Sequence, residues 1–251
     1  MRKRKIEVTE LIIEVGRRCN LNCDHCLRGD PDKFGNLVIS KEIINAALKD
    51  ICTISILTLT GGEPFLYPEI ISYIADTIKR KHINLLNFFI ATNGTIMSEK
   101  VMSAIIKLYR LSEDREFCSI RISDDEFHQQ ERQRNNVDID PAFGMFSSEF
   151  AYRDTKKFDK PEYIINQGNA SMYLDARQNP VDDGFMVSDE GDPIIVEGNI
   201  YVNTNGDILS GCDYSYEYQE FNIHGNILKN NLYEILEVTT AYEEESSQIA
   251  V

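Results

Sequence analysis

Basic charge is scarce in this chain. Lys and Arg number 26 against 41 Asp and Glu, a formal net charge of −15. A field of that sign repels phosphate backbones and anionic lipid, so neither nucleic acid nor a membrane surface is expected as a partner. Long apolar runs are missing as well: nothing approaches the roughly 18 apolar residues of a membrane span. The basic opening Met1-Arg2-Lys3-Arg4-Lys5 leads into Ile6 to Val15, where apolar and polar residues alternate. That pattern suits neither a signal peptide nor an anchor, and a cytoplasmic protein is expected. Cysteine is too sparse for a disulfide scaffold, with six in 251 residues. No internal repeat is visible. What is present, 42% hydrophobic and 27% charged residues, suffices for a real core.

Apolar periodicity divides the first half of the chain into repeats of strand, loop and helix. Glu10 to Val15, Ile54 to Thr60, Leu85 to Ala91 and Phe117 to Ile122 read as strands. Ser40 and Ser98 read as helix N-caps, and Pro68-Glu69 as a helix start. This rhythm predicts parallel strands joined by helical crossovers, with ligands at the carboxyl ends of the strands. Beyond residue 130 the pattern fades. Gln129 to Asp140 reads as a polar surface loop, and residues 141–190 offer at most a strand near Tyr163 to Asn166. Ile194 to Asn203 and Ile208 to Gly211, joined through Asn205-Gly206, read as a β-hairpin. A short helix is expected over Asn230 to Val238, and the acidic tail from Glu243 as frayed.

The cysteines are unevenly spread. Cys19, Cys23 and Cys26 crowd the loop after the first strand; Cys52, Cys118 and Cys212 are scattered. Three close thiolates can hold three corners of a four-iron, four-sulfur cluster and leave one iron open. Arg17 and Arg18 can offset the negative charge of such a cluster. Two other readings stand beside this one: a zinc site from the three cysteines with His25, and a redox pair at Cys23 and Cys26.

Cys19-x-x-x-Cys23-x-x-Cys26 resembles the signature of radical S-adenosylmethionine (SAM) enzymes. The resemblance implies that amino and carboxylate groups of SAM chelate the open iron. It also implies that an electron from the cluster breaks a sulfur–carbon bond, giving methionine and a 5′-deoxyadenosyl radical. His25 holds the place of an aromatic residue that lies beside the adenine in that family. Gly61-Gly62-Glu63-Pro64 is similar to the family's Gly-Gly-Glu-Pro motif, in which backbone and Glu bind the SAM amino group. Thr92-Asn93-Gly94-Thr95 resembles its Thr-Asn-Gly turn, making Asn93 a cofactor-binding candidate. Ser123-x-Asp125-x-x-His128 resembles a motif whose serine and acid lie near the ribose and carboxylate. Plainer readings remain open: a tight turn at the glycines, a helix N-cap at Ser123, an ordinary loop histidine at position 25. The resemblance covers residues 10–130. It implies an α/β fold, a partial (β/α)6-type barrel with a small C-terminal hairpin and helix as a cap.

Asn203 to Cys212, with Ile223-His224-Gly225-Asn226-Ile227 and Leu232 to Ile235, looks like the tail of SPASM or twitch domains. Those extensions carry auxiliary iron–sulfur clusters, but Cys212 is the one cysteine here, and one thiol cannot hold a cluster. The expected domains are a radical SAM barrel over 1–185 and a shortened twitch-like segment over 186–251 without a full auxiliary ligand set. The implied function is a SAM-dependent enzyme with one four-iron cluster and an external reductant such as a flavodoxin or ferredoxin. It would abstract hydrogen from a peptide, as maturases of ribosomally made natural products do. A small-molecule or nucleotide substrate, a partner enzyme to be activated, or a noncatalytic metal-binding regulatory module are the alternatives. No side chain stands out as directly catalytic; Cys118 and Cys212 are candidates for returning a hydrogen.

Overall fold

The computed structural model describes residues 4–34, 36–157, 164–172, 185–188 and 191–236. Its first four strands are β1 (Ile6–Gly16), β2 (Ile51–Gly61), β3 (Asn84–Thr92) and β4 (Ser119–Ser123). Helices follow them in turn: α1 (Pro31–Phe34) and α2 (Lys41–Ala47), α3 (Pro68–Lys81), α4 (Glu99–Leu111) and α5 (Glu126–Arg134). Ser40 and Ser98 cap α2 and α4, accepting from the N–H groups of Ile43 and Val101. These five strands and loops form the open, partial barrel of an α/β fold: β1 to β4 pair parallel in order, and β5 (Ala151–Asp154) adds a parallel edge.

A strand buried on one face alternates its side chains. Leu11, Ile13, Leu57, Leu59, Phe88, Ile90, Ile120 and Ile122 turn toward the helices, where they meet Ile44, Ile74, Ile78, Val101, Ile105 and Leu108 in the main core. Each such fully buried aliphatic side chain contributes about 1.5–3 kcal/mol. The alternate residues Thr60, Ala91, Arg121 and Ser123 face the other way and line a cavity.

The hairpin is part of the same sheet. β7 (Ile194–Val202) pairs parallel with β1 on the side away from β2. β8 (Asp207–Ser210) and β6 (Phe185–Ser188) run antiparallel to its two halves, and β9 (Gly225–Asn226) follows β8. Asn203 Oδ1 closes the turn by accepting from the N–H groups of Asn205 and Asp207, at 2.9 Å each. Residues 232–236 are helical; Val238 and the acidic tail lie outside the described residues.

Two expectations beyond residue 125 are corrected. The first half of the presumed loop from Gln129 to Asp140 belongs to helix α5. It is polar on most sides, so no apolar stripe announced it; its stability comes from an Asp125 N-cap and from side chains packed on neighbouring loops. Asp125, and not Ser123, is therefore the cap. In place of the strand expected at Tyr163 to Asn166, residues 164–166 contain one bridging residue, Ile165, and Tyr163 lies outside the described residues. The four-residue β5 was not anticipated.

Where β7 meets β1, the carboxylate of Glu14 is fully buried. It accepts from Arg17 Nε (2.8 Å), Thr204 Oγ1 (2.8 Å), Tyr201 Oη (2.6 Å) and Gln219 Nε2 (3.1 Å). Burial pushes its pKa up, but the guanidinium groups of Arg17 and Arg28 and the Tyr201 hydroxyl outweigh burial and hold it below the usual glutamate range. Breaking such a pair strands a buried charge at a cost of about 3–5 kcal/mol. Glu14→Ala should therefore lower the melting temperature markedly. Since the folded pKa lies below the unfolded one, the ionised form's contribution is present above the unfolded value and lost as pH falls through the folded one. Denaturant titrations of wild type and Glu14→Gln should show a stability gap at neutral pH that narrows on acidification.

Candidate active site

The loop from Gly16 to Gly29 carries Cys19, Cys23 and Cys26, all as free thiols. Three neighbours fix its backbone. The turn after β2 comes first: Gly62 N donates to Gly16 O and Glu63 N to Arg18 O, both at 2.9 Å. A Cβ on Gly61 would lie 2.2 Å from Gly16 O, and one on Gly62 would lie 2.3 Å from Arg18 O. Gly61 also has φ of 140°, a region other residues avoid. Helix α5 comes second. Glu131 accepts from Asn22 N, Arg134 pairs with Asp24 through both terminal nitrogens, and Phe127 stacks on His25 with centroids 4.4 Å apart. Third is the segment 164–172. Asn169 donates its backbone N–H to Cys26 O (2.9 Å) and its amide to Cys23 O (3.0 Å) and Asn22 Oδ1 (2.7 Å). There Gly168, at φ of 59°, lets the chain approach Leu27 O, which a Cβ would meet at 2.3 Å.

A cavity of about 550 Å³ opens above these elements, at the carboxyl ends of the strands. Cys19, Cys23, Cys26, His25, Gly61, Gly62, Glu63, Asn93, Ser123 and Asp125 all line it, as does His128. Residues far apart in sequence thus share one wall system. The Gly-Gly turn adjoins the cavity, but its close approach is to the cysteine loop's own backbone.

Glu63 is buried, and it joins the ends of β2 and β3. Its Oε1 accepts from Phe65 N (2.9 Å) and Thr92 Oγ1 (2.8 Å), and its Oε2 from Asn93 N (2.8 Å). A carboxylate offers about four acceptor positions, so one remains. Burial raises its pKa, against the lowering effect of those donors. The Asn93 amide in turn donates to Asn20 Oδ1 (2.9 Å) and lies 3.6 Å from Cys19 Sγ. Across the cavity, Asp125 Oδ1 accepts from the N–H groups of Phe127 and His128, and Oδ2 lies 2.6 Å from His128 Nδ1. Burial pushes the Asp125 carboxyl up, but the hydrogen bond and charge of His128 bring it below the ordinary aspartate range. Burial drops His25 to about 4, so its ring is neutral at physiological pH.

Arg132, buried in α5, ties two of these loops together. Its Nη1 donates to Asn93 O (3.2 Å) and Ser123 O (3.0 Å), and it pairs with Asp124. Arg17, expected beside the cysteines' charge, points instead to Glu14 and Gln219, and Arg18 is exposed. The cation on the cavity wall near the cysteines is Arg28, held over the Tyr201 ring with its guanidinium donating to Tyr214 O. Arg121, Asp154, Lys156 and Asp213 line the cavity too and were not anticipated. Strand alternation two residues before Ser123 would have found Arg121; Asp154 and Lys156 required β5. The remaining cysteines are ordinary: Cys118 sits in the main core, Cys52 is half-buried, and Cys212 packs against the Ile12, Tyr201, Leu209 and Tyr214 cluster.

The donor set fits an iron–sulfur cluster chemically. Burial and the nearby Glu63 carboxylate push the Cys19 thiol up to about 12; burial and neighbouring thiolates push Cys23 up, and burial pushes Cys26 up. With these pKa values the three groups are held as thiols, and a metal centre that binds them as thiolates would release their protons.

Comparison with known proteins agrees. The model of the Radical SAM superfamily matches residues 13–139. An uncharacterized protein of Methanocaldococcus jannaschii is 34% identical over 100 residues, 39% of this chain and 35% of that protein. The antilisterial bacteriocin subtilosin biosynthesis protein AlbA of Bacillus subtilis is 30% identical over 101 residues, 39% of this chain and 21% of AlbA. A GTP 3′,8-cyclase of Clostridium perfringens is 29% identical over 99 residues, 38% of this chain and 30% of the cyclase. The aligned part is thus about a third or less of each curated relative. Among solved structures, anSMEcpe with bound AdoMet and Cp18Cys peptide superposes with a TM-score of 0.52 at 13% identity, covering 92% of this chain and 80% of that one. BtrN in complex with AdoMet and 2-DOIA gives 0.50 at 14%, covering 91% and 82%. The chain belongs to the radical SAM superfamily, whose members are enzymes that bind a four-iron, four-sulfur cluster and SAM.

Overlap of a new Cβ with backbone costs about 1–3 kcal/mol and moves the loop. Gly62→Ala should therefore lose most of the iron bound on anaerobic reconstitution. Gly144→Ala, whose Cβ would meet nothing within 4 Å, should keep it.

Proposed function

We propose that this member of the radical SAM superfamily reductively cleaves SAM and abstracts hydrogen from a peptide. One observation carries the first part: the three cysteines and the loops after β2, β3 and β4 line a single cavity. In this reading Cys19, Cys23 and Cys26 hold three irons of the cluster. When bound, the cluster and SAM supply one-electron cleavage of a sulfur–carbon bond and a 5′-deoxyadenosyl radical. Glu63 uses its remaining acceptor position for the ammonium of SAM, with the Gly61-Gly62 backbone beside it. The neutral His25 ring, backed by Phe127, offers a flat apolar face for the adenine. Ser123 and the ionised Asp125 hold the ribose side. Arg132 keeps the Asn93 and Ser123 loops in register.

The peptide substrate is supported by kinship with AlbA and by the hairpin, which resembles a twitch segment. In this reading the segment spans residues 186–251 and, with Cys212 as its one cysteine, has too few thiols to hold an auxiliary cluster. An external flavodoxin or ferredoxin delivers the electron. Kinship with the GTP 3′,8-cyclase, over a similar share of the chain, favours a nucleotide or other small molecule as the second reading.

Anaerobically reconstituted protein given SAM and dithionite should form 5′-deoxyadenosine, and the variant with Cys19, Cys23 and Cys26 all changed to Ala should form none. Iron-loaded wild type without that product, with or without peptide, would sink the reading. Glu63→Gln should keep its iron yet bind SAM more weakly by about tenfold or more, the worth of one charge-assisted hydrogen bond. Mass spectrometry of candidate precursor peptides coexpressed with the enzyme tests the substrate. Unchanged peptides beside turnover of a small metabolite would overturn the peptide assignment.

A further inference from the structure

Cys23, His25 and His128 converge on one part of the cavity wall. One ligand atom from each lies within 4.8 Å of the others. His25 comes from the cysteine loop and His128 from the first turn of α5, so the tertiary fold assembles the group. Their rings meet edge to face, 5.0 Å apart at 83°, as two imidazoles sharing one ion can. A second observation points the same way. Asp125 Oδ2 lies 2.6 Å from His128 Nδ1. In such a carboxylate–histidine contact Nδ1 serves as the donor and Nε2 would be the metal ligand, the arrangement that orients metal-binding histidines. Phe127 stacks on His25 and restrains its ring.

We infer that Cys23, His25 and His128 form a zinc site, with Asp125 orienting His128, which the chain fills when it carries no iron–sulfur cluster. Zinc bonds of about 2.0–2.1 Å to nitrogen and 2.3 Å to sulfur place tetrahedral ligands roughly 3.3–3.8 Å apart. The observed spacing therefore needs a contraction of about an ångström, within reach of side-chain rotation. The fourth position faces the cavity that all three residues line, where water can complete the shell. Binding releases the Cys23 thiol proton to solvent and involves no change of oxidation state. Since Cys23 cannot serve zinc and cluster together, the two metal states exclude each other. Zinc thereby opposes cluster assembly.

The inference does not rest on the proposed reaction: zinc binding is read on protein without cluster, and 5′-deoxyadenosine formation on protein with it. The experiment titrates cobalt(II), then competing zinc(II), anaerobically into the full chain freed of metal. One cobalt per chain with a thiolate-to-metal absorption band is expected. It should persist when Cys19 and Cys26 are both changed to Ser, which removes the cluster but leaves this site. Asp125→Asn keeps an N-cap and should weaken zinc by about tenfold; His128→Ala should weaken it further. Zinc added before reconstitution should lower the iron taken up by wild type severalfold and that of His128→Ala little. The inference is overturned if the double Ser variant binds no cobalt. It is equally overturned if Asp125→Asn and His128→Ala bind zinc as wild type does, for then the three thiols alone hold the ion.

Discussion

Backbone lies against backbone where β2 ends, and the site depends on that contact. Gly62 and Glu63 donate to the carbonyls of Gly16 and Arg18, so the turn after β2 is welded to the loop that carries the cysteines. No side chain fits between them. Sheet pairing brings β1 and β2 side by side, but this glycine contact converts parallel register into a defined position for Cys19. Glu63, fixed by the same turn, then reaches across to Thr92 and Asn93, and Asn93 returns to Asn20 beside Cys19. One chain of contacts thus runs through three strand ends.

Charge is handled differently on the two sides of that loop. Toward β7, Glu14 is ionised and saturated by Arg17, Tyr201, Thr204 and Gln219, a satisfied network that holds the hairpin to β1. Toward the cavity, burial raises the pKa values of Cys19 and Glu63, so these groups favour their neutral forms although Arg28, Arg121 and Lys156 share the wall. A fully satisfied network stiffens the scaffold, whereas buried thiols gain from a metal that takes the place of their protons.

Local signals revealed most of the first half of the fold. Alternating or continuous apolar runs marked β1 to β4, and serine caps marked α2 and α4, because burial and capping act over a few residues. Helix α5 escaped because its contacts are tertiary: Glu131 with Asn22, Arg134 with Asp24, Arg132 with Asn93 and Ser123. β5 escaped because four residues carry too little periodicity. The same distance in sequence hid Asn169, which clamps the cysteine loop from residue 169.

The order of residues fixes which chemical groups are present and in what order they follow the strands. Three cysteines, a Gly-Gly-Glu turn, an Asn-Gly turn and a Ser-x-Asp motif are local patterns, set by neighbours within a few bonds. Where their side chains meet is set by the packing of the fold. It sent Arg17 to Glu14 and put Arg28 on the cavity wall. It made Asp125 the cap of α5 and brought His128 beside His25 and Cys23. The meeting of His128 with Cys23 joins segments about a hundred residues apart, and even the short-range pairs are selected by desolvation and hydrogen-bond geometry among partners that a local pattern leaves equivalent.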